Sequence, residues 1–329
     1  MPQSITEENM YYKFNSGKNP KWIYYLKNIL RYIGPNYTYR KKLKSELIKL
    51  SISNDKKYIY NRVNYYNRLP PNTFLPKEVQ PLNNLKYKKK GSVYFFDTYQ
   101  YTRWFNPLLR CNYLFGDITY VPEVPSIVKS RPIEGNNSNS ILLNLDKVRH
   151  FIFLKDSISF NQKINKIIFR GKVQGKPNRI KFLQMYFNHT MCDLGDVSNK
   201  STSPKEWITE KKTIKEHLHY KFILALEGND VASNLKWVMS SNSIAVMPKP
   251  TYETWFMEGK LIPNYHYIEI KTDYSDLEER LNYYIIHENE ALKIIEQAHQ
   301  YVSQFKDKKR EHLISLAVLN KYFVQTGQK

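Results

Sequence analysis

Residues 217–250 read HLHYKFILALEGNDVASNLKWVMSSNSIAVMPKP and predict a strand, a tight turn, a helix and a second strand. Lys221–Leu226 is an apolar run of strand length that ends at the turn residues Glu227-Gly228. Helical spacing then extends over Ala232–Met239, Ser240–Ser243 breaks the helix, and Ile244–Met247 starts another buried strand. A helix that opens just after a parallel strand directs unpaired backbone N–H groups and a partial positive charge at a bound anion. The pattern fits a phosphate site, but it also fits ordinary α/β scaffold.

Composition bounds the class of protein. The chain has 329 residues, of which 41% are hydrophobic, so it is long enough for two globular domains. No apolar run is long enough to span a membrane, and the first residues, MPQSITEENMYYKF, lack a secretion signal. The two cysteines, Cys111 and Cys192, are too few for a disulfide framework. These features predict a cytoplasmic protein.

Positive charge is concentrated in the first part of the chain. The net charge is +21, and residues 1–100 hold 19 Lys and Arg against 6 Asp and Glu, with 14 of the 27 tyrosines. Such a surface suits nucleic acid, acidic lipid headgroups or a phosphorylated glycolipid, although a solvated basic face would look the same. No nucleic-acid-binding signature is visible, so we expect an anionic membrane surface or glycolipid and no nucleic acid.

Two elements of this basic region bear on its role. Lys21–Ile33 predicts an amphipathic helix whose apolar face ends before Gly34-Pro35. Such a helix can lie on a membrane, but a stripe of this kind more commonly docks on the domain core, and we favour the core. Lys86–Lys90 predicts an exposed turn before a strand at Ser92–Phe96. The apolar face consists of Trp22, Ile23, Leu26, Ile29, Leu30 and Ile33.

Two loops in the middle of the chain present candidate chemical groups. Asp117 follows an apolar strand and a glycine in LFGDITYVPEVPSIVKSRPI, an irregular loop of the kind that presents catalytic side chains, although an Asp here could also cap a turn. Glu123 is the nearest alternative carboxylate. In the second loop Arg170-Gly171 ends a strand predicted over Lys166–Phe169, and Arg179 opens the next helix. Positive side chains and backbone N–H groups around the second loop predict a diphosphate cradle, or else surface arginines at a strand end.

Metal chemistry is not indicated. His217 and His219 would face the same way on a strand, but no third ligand follows at a suitable spacing. The chain also contains no Asp-x-Asp pair, which would present two carboxylates to a divalent metal ion. We therefore predict no metal and no cofactor.

The amino-acid sequence of these segments resembles that of glycosyltransferase family 90, and most closely that of its bacterial lipopolysaccharide core enzymes. The likeness covers roughly residues 110–285 and includes several separated motifs in the same order. They are Ile167-Ile168-Phe169-Arg170-Gly171, Pro177 with Arg179, H-x-x-Y-K-F from His217, E-G-N, S-N-L-K, S-S-N-S, Lys260-Leu261-Ile262-Pro263, His266-Tyr267 and Asp276-Leu277.

The resemblance implies a fold and an activity. It implies a GT-B fold of two Rossmann-like domains, with a C-terminal helix that packs back on the first. It also implies an inverting, metal-independent transfer of glucose or galactose from a UDP-sugar to a saccharide, in the lipopolysaccharide inner core, by an enzyme peripheral to the inner membrane. We expect an acceptor-binding domain over residues 1–155, a nucleotide-sugar-binding domain over residues 156–288 and a C-terminal helical segment over residues 289–329.

The resemblance also assigns residues. Asp117 corresponds to the acidic residue that serves as general base in the family, and Glu123 stays open as the alternative. Ile180 stands where relatives carry Asp, and Asn234 where many carry Arg, so that Lys236 is expected to contact phosphate. The residues implied in nucleotide-sugar binding are Arg170, Gly171, Arg179, His217, Glu227, Gly228, Asn229, Ser233, Asn234 and Lys236.

Overall fold

A computed structural model describes residues 16–198 and 202–329 and shows an α/β protein. The chain divides into two compact units. The first unit comprises the described part of Met1–Asn19, with Arg149–Pro250 and Lys260–Ser303. The second unit comprises Pro20–Val148, Thr251–Gly259 and Gln304–Lys329. The first 15 residues, on which the prediction of no secretion signal depends, lie outside the described residues.

A five-stranded parallel sheet forms the centre of the first unit. Its strands are β5 (Ile164–Gly171), β6 (Cys192–Asp196), β7 (Tyr220–Leu224), β8 (Ile244–Met247) and β10 (Ile268–Glu269). The spatial order is β10-β8-β7-β5-β6, and every neighbouring pair is parallel. The chain therefore moves outward from β5 to β6, then crosses back to β7 and continues in the other direction. This order has a topological switch between β5 and β7, as in open doubly wound sheets.

Helices alternate with these strands. They are α6 (Pro177–Tyr186), α7 (Ile214–His217), α8 (Leu235–Val238), α9 (Leu277–Ile286) and α10 (Glu288–Ser303). The strands are apolar on both faces because a parallel sheet with crossover helices is covered on both sides. The core gathers side chains from strands and helices alike: Ile167, Phe169, Phe222, Leu224, Ile244, Val246, Ile268, Phe182, Leu183 and Leu281.

Most of the elements predicted for this unit are confirmed, and two need correction. β7 and β8 lie where residues 217–250 predict strands. The helix predicted over Ala232–Met239 is only the single turn α8, which begins three residues later than predicted and ends before Ser240 and Ser241, whose hydroxyls donate to the Trp237 and Val238 carbonyl oxygens at 2.9 and 2.7 Å. Such side-chain bonds compete with helix continuation. His217 ends α7, within the helix expected over residues 210–217, so it does not lie on a strand with His219.

The second unit combines helices with two small sheets. Its helices are α1 (Lys21–Ile33), α2 (Tyr37–Ile52), α3 (Lys56–Tyr66), α4 (Ser92–Thr102) and α11 (Lys308–Gln325). Along the chain, the short α5 (Lys147–His150) includes the limit between the units, which falls between Val148 and Arg149. Strands β1 (Asn112–Leu114), β2 (Ser126–Val128) and β4 (Ser140–Leu142) pair in parallel in the order β1-β2-β4. Strand β3 (Ser130–Pro132) pairs antiparallel with β9 (Tyr252–Thr254).

Helix α11 is part of the second unit and is held by buried polar contacts. Glu311 forms an ion pair with Arg62 of α3 and accepts a 2.5 Å hydrogen bond from the Trp255 indole. Tyr66 stacks on the Trp255 ring with centroids 3.9 Å apart. The Tyr322 hydroxyl donates to the Pro125 carbonyl at 2.9 Å. Because buried charges are stable only when they are paired and hydrogen-bonded, these contacts fix α11 in one position.

The strand predicted at Ser92–Phe96 is wrong, because this segment begins helix α4. Aromatic residues favour strands only when they pack on a pleated surface. Here Phe95 stacks on Tyr99 one helical turn later, with ring centroids 5.7 Å apart. Gly91 precedes the helix in the left-handed region at φ 78°, which starts the chain in the helical direction. Tertiary packing therefore overrides the local strand preference.

Helix α1 has the predicted bounds, but the prediction that its apolar face packs on the core is wrong. The helix contacts α4 through its polar and aromatic side: the Tyr24 hydroxyl donates to Asp97 at 2.9 Å, and Arg31 donates to Gln100 at 3.2 Å. The aliphatic stripe faces outward, so Trp22 is 70% exposed and Ile33 is 73% exposed. The stripe therefore does not dock on the core within the part of the chain that is described.

None of the helices in residues 16–198 and 202–329 combines the length and apolar character that crossing a membrane requires.

Candidate active site

The sheet of the first unit has its topological switch between β5 and β7, and open α/β sheets have a crevice at the carboxyl edge of such a switch. In open α/β sheets, ligands bind outside the carboxyl ends of the strands at such a switch. The loop after β5 covers residues 172–176 and leads into α6, and the loop after β7 covers residues 225–234 and leads into α8. Most residues that the sequence implies in nucleotide-sugar binding lie in these two loops or at their ends.

Arg179, in the first turn of α6, links the two loops. Its guanidinium donates to the Lys172 carbonyl at 2.9 Å and to the Leu226 carbonyl at 2.8 Å. The guanidinium also lies over the Phe169 ring, with Cζ 5.4 Å from the centroid. A Cβ at Gly228 would come within 3.1 Å of Nη2, so a glycine leaves room for the arginine there. The arginine is thus held at the switch by backbone atoms and an aromatic ring.

Arg179 carries a charge that no carboxylate in the described part of the chain neutralises. Among the described residues it makes no ion pair, and its Nε is buried without a hydrogen-bond partner. Burial lowers the pKa of the guanidinium to about 10, which leaves it protonated at neutral pH. A half-buried cation with unused donor capacity is a candidate anion-binding group, because buried charges are otherwise paired.

The loop after β5 has little freedom near Arg179. A Cβ at Gly171 would lie 2.5 Å from the Phe169 ring, so a larger residue cannot fit without displacing that ring. The Val173 N–H donates to the buried Asp196 carboxylate at 3.1 Å. On the other side, Lys176 hydrogen-bonds to the side chain of Asn229 in the loop after β7. These contacts preorganise the basic loop at the crevice.

Other implied residues are placed differently. Arg170 forms an ion pair with Asp193 of β6 and donates to the Asp193 carbonyl at 2.8 Å, so it joins two strands rather than pointing at the loops. Asn234 donates to the Leu224 carbonyl at 2.9 Å and closes the end of β7. Lys236 is fully buried, Ser233 is exposed, and Glu227 is half-buried. The ion pair with Asp193 therefore distinguishes Arg170 from Arg179.

His217 lies at the amino end of β7, away from the carboxyl edge of the sheet. Its Nδ1 donates to the Thr213 carbonyl at 2.8 Å, and its ring packs edge-on against Trp237 with centroids 5.7 Å apart. Burial lowers the pKa of His217 to about 4. The structure thus places His217 as a neutral, packed side chain. The described residues contain no group of His, Cys, Asp or Glu arranged to hold a metal ion.

We expect His217 to make the folded state sensitive to acid. Between pH 6.5, its ordinary pKa, and about pH 4 the unfolded chain binds a proton at His217 that the folded chain does not. The free energy of unfolding therefore decreases as pH falls through this window, by about 3 kcal/mol in all. Urea unfolding of His217→Gln should show a shallower pH dependence than the wild type. The control His219→Gln alters an exposed residue and should keep the wild-type slope; identical slopes for all three proteins would contradict the assignment.

Asp117 lies at the carboxyl edge of the small parallel sheet in the second unit. It follows β1, and Lys129 directly follows the neighbouring strand β2. The Lys129 ammonium donates to the Asp117 carboxylate at 2.5 Å. The Lys129 side chain is only 2% exposed, whereas that of Asp117 is 24% exposed. A buried lysine thus orients a carboxylate that solvent can still reach.

Glu123 occupies the opposite edge of this sheet. It is exposed and lies just before β2 begins at Ser126, whereas Asp117 follows the end of β1. Functional groups of parallel α/β sheets cluster at the carboxyl edge of the strands. This placement puts Asp117, and not Glu123, at the edge where such groups cluster.

Two side chains of the candidate site were missed in the sequence: Lys129 and Lys176. Both belong to segments that were recognised, but neither was singled out. Lys129 immediately follows the buried strand β2, where a lysine has no reason to be buried unless it meets a carboxylate. That signal was available in the pattern SIVKSRP, although its partner was not.

Comparison with known proteins identifies the family. Residues 144–323 match the family described as "Glycosyl transferase family 90". The chain is also 42% identical over 265 residues to a protein of Dichelobacter nodosus named O-glucosyltransferase LpsA, covering 80% of this chain and 82% of that protein. The residues matched by the family include both loops at the switch between β5 and β7 and continue into α11. This chain therefore belongs to glycosyl transferase family 90 and is a glycosyltransferase.

Proposed function

We propose that the enzyme transfers glucose from UDP-glucose to a saccharide of the lipopolysaccharide core, with inversion and without a metal ion. The name of the Dichelobacter relative, O-glucosyltransferase LpsA, supports glucose over galactose. The motifs shared with bacterial lipopolysaccharide enzymes and the basic first hundred residues support an anionic glycolipid acceptor. An enzyme with such an acceptor would work at the inner face of the inner membrane.

The observation that carries this proposal is the unneutralised charge of Arg179 at the switch between β5 and β7. The leaving group of the reaction is a nucleoside diphosphate, and its developing charge must be stabilised. The guanidinium fork suits phosphate oxygens, and Lys176 adds a second cation beside the same crevice. On binding, the diphosphate would replace the present contacts of Arg179 with backbone carbonyls and of Lys176 with Asn229.

Asp117 is the proposed general base. In an inverting transfer, the acceptor hydroxyl attacks the anomeric carbon from the face opposite the diphosphate. The oxygen–carbon bond forms as the bond to the diphosphate breaks, and the hydroxyl proton passes to the carboxylate. Lys129 would act as a positioning residue, because its 2.5 Å contact fixes the orientation of the Asp117 carboxylate. Only one carboxylate is needed.

We further propose that the two compact units correspond to the two domains of a GT-B fold. The first unit, with its five-stranded parallel sheet, would bind the donor, and the second unit would bind the acceptor. Helix α11 follows the donor unit in sequence but packs on α3 in the other unit, as the C-terminal helix of that architecture does. The expected domain limits at residues 155 and 288 differ from the unit limits, which follow Val148 and Ser303, so that α10 (Glu288–Ser303) belongs to the first unit and not to a separate C-terminal segment.

A donor panel tests the proposal. Purified enzyme is incubated with UDP-glucose, UDP-galactose or GDP-mannose and a truncated, soluble core oligosaccharide, with and without EDTA. We expect transfer from UDP-glucose, undiminished by EDTA, because cationic side chains replace the metal in stabilising the diphosphate. Nuclear magnetic resonance of the product should show the anomeric configuration opposite to that of the donor.

Each part of the proposal has a separate contradicting outcome. Preference for another donor would overturn the assignment of glucose or of UDP. Loss of activity in EDTA, restored by Mn²⁺, would refute the metal-free mechanism. Retention of the anomeric configuration would contradict an inverting mechanism with a single general base.

A further inference from the structure

Helix α1 is amphipathic, but its apolar side faces outward. Its inner side uses polar contacts to α4: Tyr24 to Asp97 at 2.9 Å, and Tyr25 to Ser92 at 3.1 Å. Asn28 is the one fully buried residue of the helix. The outward side carries a stripe of six large apolar residues, which we name the α1 stripe, all between 47 and 73% exposed: Trp22, Ile23, Leu26, Ile29, Leu30 and Ile33.

This arrangement is opposite to that of an ordinary surface helix. Helices normally bury the apolar face and expose the polar face. Contiguous apolar patches of this kind on soluble proteins mark interaction surfaces. The helix does not need the stripe for its attachment, because Arg103 anchors its end by donating to the Arg31 and Pro35 carbonyls at 2.7 and 3.0 Å. The stripe is therefore available to bind something else.

The charge around the stripe identifies the chemistry of its partner. Residues 21–57, which cover α1 and α2, hold ten Lys and Arg against two Asp and Glu. Lys27 of α1 borders the stripe and is exposed. On α2 an open groove of 440 Å³ has Leu43 and Leu47 among its lining residues, with Arg40 and Lys44 at its sides. Apolar side chains flanked by lysine and arginine match the boundary between acyl chains and anionic headgroups.

We propose that α1 lies in the plane of an anionic bilayer and inserts its apolar stripe below the headgroups, while basic residues of α1 and α2 contact the lipid phosphates. Trp22, at the start of the stripe, suits this boundary because its ring is apolar and its N–H is polar. The surface deepens the proposed function in one respect: it would bring the enzyme to a lipid-linked acceptor. Membrane insertion itself does not depend on the identity of that acceptor.

The tryptophans provide a direct test. The chain has five, and Trp22 is 70% exposed while the other four are at most 9% exposed. With vesicles of phosphatidylglycerol and phosphatidylcholine, we expect the tryptophan emission to shift to shorter wavelength and to be quenched by bromine-labelled lipids. With vesicles of phosphatidylcholine alone, both effects should be much smaller. Quenching at moderate salt separates insertion from purely electrostatic attachment, which salt screens.

Matched variants test whether vesicle binding depends on the α1 stripe. The stripe variant L26Q/L30Q/I33Q should bind anionic vesicles more than tenfold more weakly, on the order expected for losing three large apolar contacts. The control variant F74Q/L108Q/I286Q changes three equally exposed apolar residues elsewhere and should bind like the wild type. Both variants should keep the wild-type Tm and the wild-type transfer to a soluble acceptor.

Three outcomes would overturn the proposal. The first is wild-type vesicle binding by the stripe variant, or equal binding to neutral and anionic vesicles. The second is a Trp22 that is already shielded from acrylamide in the free protein, which would mean that the chain covers the stripe. The third is a dimer that the stripe variant converts to monomer, which would assign the stripe to a second copy. Failure of transfer from every donor would contradict the proposed function and leave these measurements unaffected.

Discussion

Asp117→Asn is expected to lower the rate of glycosyl transfer by roughly two to four orders of magnitude, the usual contribution of a general base. The amide cannot accept the acceptor proton, but it keeps the size of the carboxylate and can still accept a hydrogen bond from Lys129. Binding of UDP-glucose, measured by calorimetry, should be unchanged, because Asp117 belongs to the second unit and the crevice at β5 and β7 to the first.

Glu123→Gln is the matched control. It makes the same chemical change at an exposed position six residues away, at the amino edge of β2. We expect near-normal turnover. Near-normal turnover of Asp117→Asn, with a large loss in Glu123→Gln, would reverse the assignment of the base.

The fold of the first unit could be predicted from its sequence to a large extent. Parallel strands that are buried on both faces appear as short apolar runs, and Ile244–Met247 has the same bounds in the prediction and in the structure. The single turn α8 departs from the prediction at its start. The helix ends before the serines that predict its end, but it begins only at Leu235, after Asn234 donates from its side chain to the Leu224 carbonyl. A bond of this kind depends on side-chain geometry, which spacing does not record.

The second unit was harder to predict because tertiary contacts decide its local structure. The aromatic run that starts at Ser92 has strand composition, yet it forms α4 with Phe95 and Tyr99 stacked along one side. Helix α1 was predicted with the right bounds and the wrong inner face. Hydrophobicity alone assigns the apolar face to the core, whereas the structure uses the hydroxyls of Tyr24 and Tyr25 to attach the helix.

The candidate site was predicted as two loops, but not as a set of contacts. Arg170 and Arg179 were equivalent in the sequence, since both are arginines close to a glycine-containing loop. Their difference arises from Asp193, which pairs with Arg170 from the neighbouring strand. Pairing across a sheet depends on strand order and register, and neither can be obtained from local spacing. Lys129 was missed for the same reason, because its partner Asp117 follows another strand.

Arg179→Ala is expected to weaken the binding of UDP and UDP-glucose by roughly 10- to 100-fold, which corresponds to the loss of charge-assisted hydrogen bonds to phosphate. The affinity of Arg179→Lys should lie between those of Arg179→Ala and the wild type, because lysine keeps the positive charge but lacks the paired N–H donors of the guanidinium. Isothermal titration calorimetry measures both. The control Lys166→Ala removes one exposed positive charge from the amino-terminal half of β5 and should leave the affinity unchanged.

Thermal stability separates a binding role of Arg179 from a structural one. The folded protein without ligand holds an unneutralised, half-buried charge whose pKa burial lowers to about 10, so the charge itself costs folding free energy. Arg179→Ala without ligand should therefore have a Tm equal to or above that of the wild type, and it should lose most of the Tm increase that UDP gives the wild type. Arg170→Ala is the contrasting variant: it leaves Asp193 without its ion-pair partner and should lower the Tm in the absence of UDP. A lower Tm for Arg179→Ala, with an unchanged response to UDP, would make Arg179 a structural residue and move the diphosphate away from the switch between β5 and β7.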